Sequence, residues 1–285
     1  MIFVLLSVLC SVLVSVLLKL ARRFRLDVGQ AIAWNYLVAS VLTALLLQPA
    51  PASLREPGVP WLALVALGIL LPTIFLALAA AVRHAGIVRS DAAQRLSLLL
   101  SLLAAFVLFG EQLSAFKLGG IALGLLALSC MVWRSGHAPT NEGAAGWLYP
   151  LLVFAGFGVI DILFKRVAQA GVSLGTSLQA MFALALLVAF AMQLWRRVHG
   201  STRFTARSAV AGLLLGLANF GNILFYLRGH RALPQHPALV FASMNIGVVA
   251  LGAVVGLVLF RERLSRLNLT GVALAVVAIG VIARG

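Results

Sequence analysis

Val107-Leu108-Phe109-Gly110-Glu111-Gln112-Leu113-Ser114-Ala115-Phe116-Lys117-Leu118-Gly119-Gly120-Ile121-Ala122-Leu123 returns as Val258-Leu259-Phe260-Arg261-Glu262-Arg263-Leu264-Ser265-Arg266-Leu267-Asn268-Leu269-Thr270-Gly271-Val272-Ala273-Leu274. The offset is 151 positions without a gap (262 − 111), and ten of the seventeen pairs are identical. In each copy an apolar run ends in a glutamate, turns within a few residues and continues as a second apolar run. Hydrophobicity alone would pair leucine with valine. It would not hold Glu111 on Glu262, Ser114 on Ser265 and Gly120 on Gly271 in one register. The stretch reads as a hairpin of two membrane helices, and the chain as an internal duplication.

The composition fits this reading. Of 285 residues, 62% are hydrophobic and only 10% are charged, with a mean hydropathy of +1.09. Soluble domains carry about 25% charged residues, so an integral membrane protein is expected. The apolar runs are about 20 residues long and lack the alternation of barrel strands, which leaves helices as the spans. The formal charge of +15 does not describe a nucleic-acid interface. The basic residues sit in short loops between apolar runs instead of forming a stripe, as membrane topology and attraction to anionic headgroups require. Cys10 and Cys130 lie inside apolar runs, so neither a disulfide nor a metal site is expected, and no cofactor is implied. No Lys or Arg precedes the first helix and no small-residue cleavage site follows it, so a cleavable signal peptide is not expected.

Hydropathy separates ten spans, roughly 2–20, 29–48, 59–82, 90–110, 115–133, 147–168, 174–195, 208–228, 237–260 and 267–283. The polar, turn-rich stretch 134–146 is the expected linker between a first five-helix repeat, 1–133, and a second, 147–285. An odd number of spans per repeat makes the second copy enter the membrane from the opposite side. The expected fold is therefore an all-α integral membrane protein of ten transmembrane helices, arranged as two inverted-topology five-helix repeats. The opening halves match more loosely at an offset of 146, with Lys19 on Lys165 and Gly29 on Gly175. Trp61, Trp133, Trp147 and Trp195 fall at span ends, as an aromatic belt does. Loops after odd-numbered spans hold fourteen Lys and Arg against seven on the other side. That bias places the odd loops in the cytoplasm and both termini outside.

These residues resemble a known family. Paired hairpins of apolar run, Glu, Leu-Ser and Gly, in a ten-span chain split five and five, are similar to the EamA-type members of the drug/metabolite transporter superfamily. Gln30 to Tyr36, Gln94 to Ser97, Gly158 to Lys165 and Asn245 to Val249 resemble one bacterial branch of it. The resemblance implies a multi-pass protein of the bacterial inner membrane, efflux of a metabolite, and cytoplasmic termini, opposite to the charge bias. The small multidrug-resistance branch carries a glutamate in its first helix. Here that helix has only Ser7, Cys10, Ser11 and Ser15 as small polar residues, so cation/proton exchange of that type does not carry over.

Asp161 alone among the seven acids lies well inside a span, with Lys165 one turn later on the same face. An ionisable group in the membrane costs about 2.5–3.5 kcal/mol on the insertion scale and points to function. Asp161 is thus a candidate proton or ammonium site, or half of an internal pair with Lys165. Arg95, one turn after Asp91, can hold a carboxylate or phosphate bidentately, or snorkel to the interface. Gln94 and Asn245 are equivalent by the 151 offset. They suit a substrate site near a pseudo-two-fold axis or helix–helix hydrogen bonds. Trp34 and Asn35 in span two, and Asn219, Asn222 and Tyr226 in span eight, can line a polar path or face a neighbouring helix. Glu111 and Glu262 are expected to be structural, accepting backbone N–H bonds at the next helix start. Pro72 and Pro150 free backbone carbonyls within their spans. Gly120 with Gly124, and Gly212 with Gly216, fit close helix contacts or a homodimer face.

No zinc-protease His-Glu-x-x-His and no phosphate-binding Gly-Lys-Ser loop occurs, and the loops are too short for an ATPase domain. The chain is read as a non-enzyme: a secondary transporter moving an amino acid or related polar compound, with the lipid bilayer as its surroundings and protons as a candidate partner. Two alternatives stay open. One is a flippase or membrane enzyme acting on a lipid-linked substrate; the other is an assembly protein whose polar groups are consumed in packing.

Overall fold

The computed structural model describes residues 1–24, 26–110, 112, 114–132, 145–200, 204–260 and 266–284. Among them are ten α-helices and no strand. The helices are α1 Ile2–Arg23, α2 Val28–Leu47, α3 Trp61–Leu96, α4 Leu98–Val107, α5 Ala115–Val132, α6 Ala145–Gln169, α7 Leu174–Val198, α8 Ala206–Ala232, α9 Pro237–Phe260 and α10 Arg266–Arg284. A short 3-10 helix, Pro51–Arg55, follows α2. Among the described residues, six segments are long and apolar enough to cross a membrane: Val28–Leu47, Trp61–Leu78, Trp147–Gln169, Leu174–Val198, Ala206–Ala232 and Pro237–Gly256. The α1 helix shows what surrounds them. Val4, Val8 and Val12 are buried while Leu5, Leu9 and Leu13 on other faces are about half exposed. A contiguous exposed leucine stripe is a liability in water and ordinary in lipid.

One expected boundary moves. Hydropathy places a loop at 83–89 between spans three and four, but α3 continues to Leu96. That stretch contains charges yet no proline and a single glycine, Gly86, so nothing in it forbids helical backbone. The break falls instead at Ser97, whose backbone stays helical (φ −55°, ψ −23°) and whose hydroxyl donates to the Gln94 carbonyl at 2.6 Å. The α4 helix is therefore only ten residues, about 15 Å long. Pro72 lies within α3 without ending it, and Pro150 within α6. The linker residues 134–144, and Glu111 and Glu262, lie outside the described residues, as do the side chains of Asp91 and Arg95.

The chain forms two compact units, each drawing on both sequence halves. One comprises Met1–Val8, Ala77–Ile162 and Ala232–Gly285; the other comprises Leu9–Leu76 and Leu163–Arg231. In the first, α5 packs on α10 and α4 on α9. A Cβ at Gly124 would lie 2.5 Å from Ile246 Cδ1. Ser114 accepts from the Lys117 N–H at 3.1 Å and so starts α5 within the first hairpin.

In the second unit α2 packs on α7, and the two ends of this pair are built alike. At one end Asp27 caps α2 by accepting the Gln30 N–H at 3.1 Å. Its carboxylate also takes both Arg196 guanidinium nitrogens, at 3.1 and 3.2 Å. At the other end Ser173 caps α7 by accepting the Thr176 N–H at 3.1 Å, and the Ala50 N–H donates to Thr176 Oγ1 at 3.0 Å. The two helices therefore run antiparallel. The contacts correspond under the 146 offset: Asp27 to Ser173, Gln30 to Thr176, Ala50 to Arg196. Gly29 abuts Gln193, and Gly175 abuts Leu47, another pair related by that offset.

The α8 helix lies against α2 through glycine. A Cβ at Gly212 would sit 2.5 Å from Trp34 Cβ and 2.7 Å from the Ala31 carbonyl oxygen; one at Gly216 would sit 2.6 Å from Val38 Cβ and 2.9 Å from the Asn35 carbonyl oxygen. This G-x-x-x-G is thus used within the chain. Gly216→Leu is expected to destabilise the protein in detergent by about 1–3 kcal/mol, the usual range for overpacking. Gly252→Ala, where a Cβ meets nothing within 4 Å, is the control for thermal unfolding. Equal melting temperatures for the two variants would refute the close α2–α8 contact.

Candidate functional site

Backbone contact between α2 and α8 decides what their polar side chains do. Asn35 and Tyr36 on α2 and Asn219 on α8 are turned inward and buried, at 1%, 0% and 6% exposure. Among the described residues, Asn35 Oδ1, Tyr36 OH, Ser40 Oγ and Asn219 Nδ2 are buried with no hydrogen-bond partner, as are Ser177 Oγ and Gln179 Oε1 on α7. All six belong to the second unit. Each such group ordinarily costs about 1–3 kcal/mol when left unpaired in a protein interior. Trp34 is placed differently: it packs over Gly212 and stands edge-on to Phe190, ring centroids 5.6 Å apart.

The polar strip of α8 runs further than Asn219, Asn222 and Tyr226. His230, one turn beyond Tyr226 and 1% exposed, meets the Tyr226 ring with centroids 4.8 Å apart. Tyr226 in turn receives the Phe164 ring edge-on at 5.9 Å. Lys165, next to Phe164 on α6, is completely buried and within electrostatic reach of His230. The second unit therefore gathers a cation, an imidazole, a phenol and several amides on membrane-spanning helices. His230 was legible as the i+4 continuation of Asn222 and Tyr226, but loop-side basic neighbours obscured it. Ser177 and Gln179 carried no comparable signal.

In the first unit Asp161 accepts a hydrogen bond from Ser101 on α4 at 2.8 Å. Glycine again permits the approach: a Cβ at Gly158, one turn earlier on α6, would lie 2.7 Å from Leu100 Cβ. Ser101 is fully buried, and its only sequence signal is its i+4 spacing from Ser97. Gln94 and Asn245 are not joined by a hydrogen bond; Asn245 Nδ2 donates to the Phe241 carbonyl of its own helix at 3.1 Å. Lys117, buried beside the first hairpin, reaches the Gln112 carbonyl at 3.4 Å and His236 Nδ1 at 3.5 Å.

A Gly-x-Ser-x-Gly spacing occurs at Gly171-Val172-Ser173-Leu174-Gly175. A hydrolase elbow needs a strand before its serine. Here a helix precedes it, and Ser173 spends its hydroxyl on Thr176 as the cap of α7. No group of three or more His, Cys, Asp or Glu able to hold a metal occurs among the described residues.

Residues 1–133 match the model of the EamA-like transporter family. An uncharacterized protein of Haemophilus influenzae is 42% identical over 280 residues, 96% of this chain and 94% of that one. An uncharacterized Pseudomonas aeruginosa protein is 32% identical over 167 residues, 58% of this chain and 54% of that one. A solved structure described as "Crystal structure of protein" aligns with a TM-score of 0.73 at 19% identity, over 98% of this chain and 94% of that one; the shared feature is the fold.

The Ser101–Asp161 bond has a measurable consequence. A hydrogen bond to a charged acceptor contributes about 1.5–3 kcal/mol. Ser101→Ala should therefore lower the melting temperature in detergent, and the loss should shrink in an Asp161→Asn background. Additive losses in that double-mutant cycle would mean the two side chains do not interact.

Proposed function

This chain belongs to the EamA-like transporter family, and on that premise we propose that it is a secondary transporter of a small polar metabolite. The substrate class is an amino acid or related polar compound, moved by alternating access across the bacterial inner membrane. Family membership points to a transporter rather than an enzyme, and the earlier resemblance points to export.

The observation that carries the proposal is the set of unpaired buried polar atoms in the second unit. Hydrocarbon offers such groups nothing, so membrane helices normally turn polar side chains toward each other, to water or to a guest. Asn35 Oδ1 and Gln179 Oε1 are acceptors, Asn219 Nδ2 is a donor, and the Tyr36 hydroxyl is both. That mixture suits a molecule with hydrogen-bonding groups of both kinds.

The packing supports the ten-span inverted repeat. The pairs α2 with α7, α4 with α9 and α5 with α10 each join helices that occupy the same place in the two sequence halves. A two-fold axis in the membrane plane produces such pairings. It also requires equivalent helices to run in opposite directions, as α2 and α7 do. Inverted halves supply two related states, which is what alternating access uses. Asp161, placed by Ser101, is the proton carrier in this scheme.

A thermal-shift screen of the purified protein against amino acids, nucleotides, sugars and lipophilic cations at several pH values tests the proposal. A ligand at 100 times its dissociation constant stabilises the fold by about 2.7 kcal/mol. One polar class should raise the melting temperature, and Asn219→Ala and Asn35→Ala should each abolish that shift while leaving a folded protein. Asp161→Asn should flatten the pH dependence of uptake into vesicles. A flat screen on a well-folded sample would sink the substrate assignment; unchanged pH dependence in Asp161→Asn would remove its proton role alone.

A further inference from the structure

From the apolar crevice beside α8 we infer a binding site for one anionic glycerophospholipid, separate from the transported metabolite. The crevice, about 250 Å³, is walled by Leu17 and Leu18 of α1, Phe24 after α1, and Val210 and Leu214 of α8. Among the described residues, Arg207 is its only charged lining residue. Ala31 and Leu215, which also line it, belong to a packed cluster with Val14 and Ala218. A wider recess continues from it, sharing Phe24, Val210 and Arg207.

The chemistry changes along this groove. Its inner part offers only hydrocarbon, which excludes an amino acid or sugar as occupant. Val210 and Leu214 are half exposed on the outer face of a membrane-spanning helix, where the surrounding solvent is lipid. An acyl chain is therefore the molecule that lies against them. At the other end the Arg207 guanidinium is exposed and makes no hydrogen bond or ion pair with the described residues. Arg207 is the second residue of α8, and a cation in the first turn of a helix is opposed by the helix dipole. A phosphate at that place removes the conflict and meets the bidentate donor that suits it. Arg207 also belongs to the odd-numbered loops, which hold fourteen of the basic residues. A concentration of cations at one membrane face attracts anionic headgroups. Tail and headgroup determinants thus lie in one groove in the order a phospholipid needs.

The experiment adds phosphatidylglycerol or phosphatidylcholine with identical chains to the full-length protein in detergent. Retained lipid is read by native mass spectrometry and stability by thermal unfolding. The wild-type protein should keep phosphatidylglycerol in preference and be stabilised by it. Arg207→Gln should reduce that preference about fivefold, the value of one surface cation. Val210→Trp should reduce retention of both lipids by filling the crevice. Arg284→Gln, a cation outside the crevice, should change neither. An unchanged preference in Arg207→Gln, unchanged retention in Val210→Trp, or an equal effect of Arg284→Gln would each overturn the site. So would stabilisation by inorganic phosphate alone, or crevice protection through self-association in lipid-free detergent. None of these outcomes depends on which metabolite the protein moves.

Discussion

Helices in hydrocarbon are not pushed together by the hydrophobic effect, because a lipid tail is as apolar as a leucine. What holds α2, α7 and α8 in one unit is close backbone approach at glycine. Gly212 and Gly216 bring α8 onto Ala31 and Asn35, and Gly175 brings α7 onto Leu47. Such contacts tolerate no added Cβ, so they fix helix rotation and depth more tightly than leucine packing does. The inward placement of Asn35 on α2 and Asn219 on α8 follows from them. Gly158 does the same in the first unit, where it admits α4 and with it the hydroxyl that meets Asp161.

Helix ends are secured by a different force. Asp27 serves at once as N-cap of α2 and as partner of Arg196, while Gln193 also accepts from Arg196 at 2.9 Å. Gln30 accepts the Thr205 N–H at 3.1 Å, and Ser208 Oγ accepts the Asp27 N–H at 3.2 Å. Thus α2, α7 and the start of α8 are tied together where the chain leaves the apolar region and unpaired backbone groups must be met. The ion pair is partly exposed, at 32% and 23% for the two side chains, so its net contribution is modest. Its geometric effect is larger, since one carboxylate serves two helices.

The interior of the second unit is the opposite case. Local satisfaction is complete at the caps and incomplete at Asn35, Tyr36, Gln179 and Asn219. A protein that merely assembled helices would pair these amides with one another. Under the proposed function, their unpaired state is the recognition surface for a polar solute. The outer face of α8 is built on another principle, with hydrocarbon walls and, among the described residues, the Arg207 cation at the rim. The same helix therefore presents a polar interior and a lipid-matched exterior.

Much of the fold was legible along the chain. Apolar length set the helices, and polar residues inside apolar runs marked Asp161, Asn35, Asn219 and Tyr226 as exceptional. The α3 boundary was misread because charge was taken for a break where no proline or turn sequence enforced one. Gln94 and Asn245 shared a place in the repeat without sharing a hydrogen bond, because repeat equivalence says nothing of side-chain reach. Ser101 became a candidate only through Asp161, sixty residues on, and Gln179 only because its buried Oε1 has no partner. The sequence by itself determined that this is a helical membrane protein, since hydrocarbon thickness and backbone hydrogen bonding leave a chain of this composition little else. The tertiary structure decided which polar groups are paired, which stay unpaired and where lipid can lodge, because those depend on helix rotation and depth, fixed by glycine contacts between distant segments.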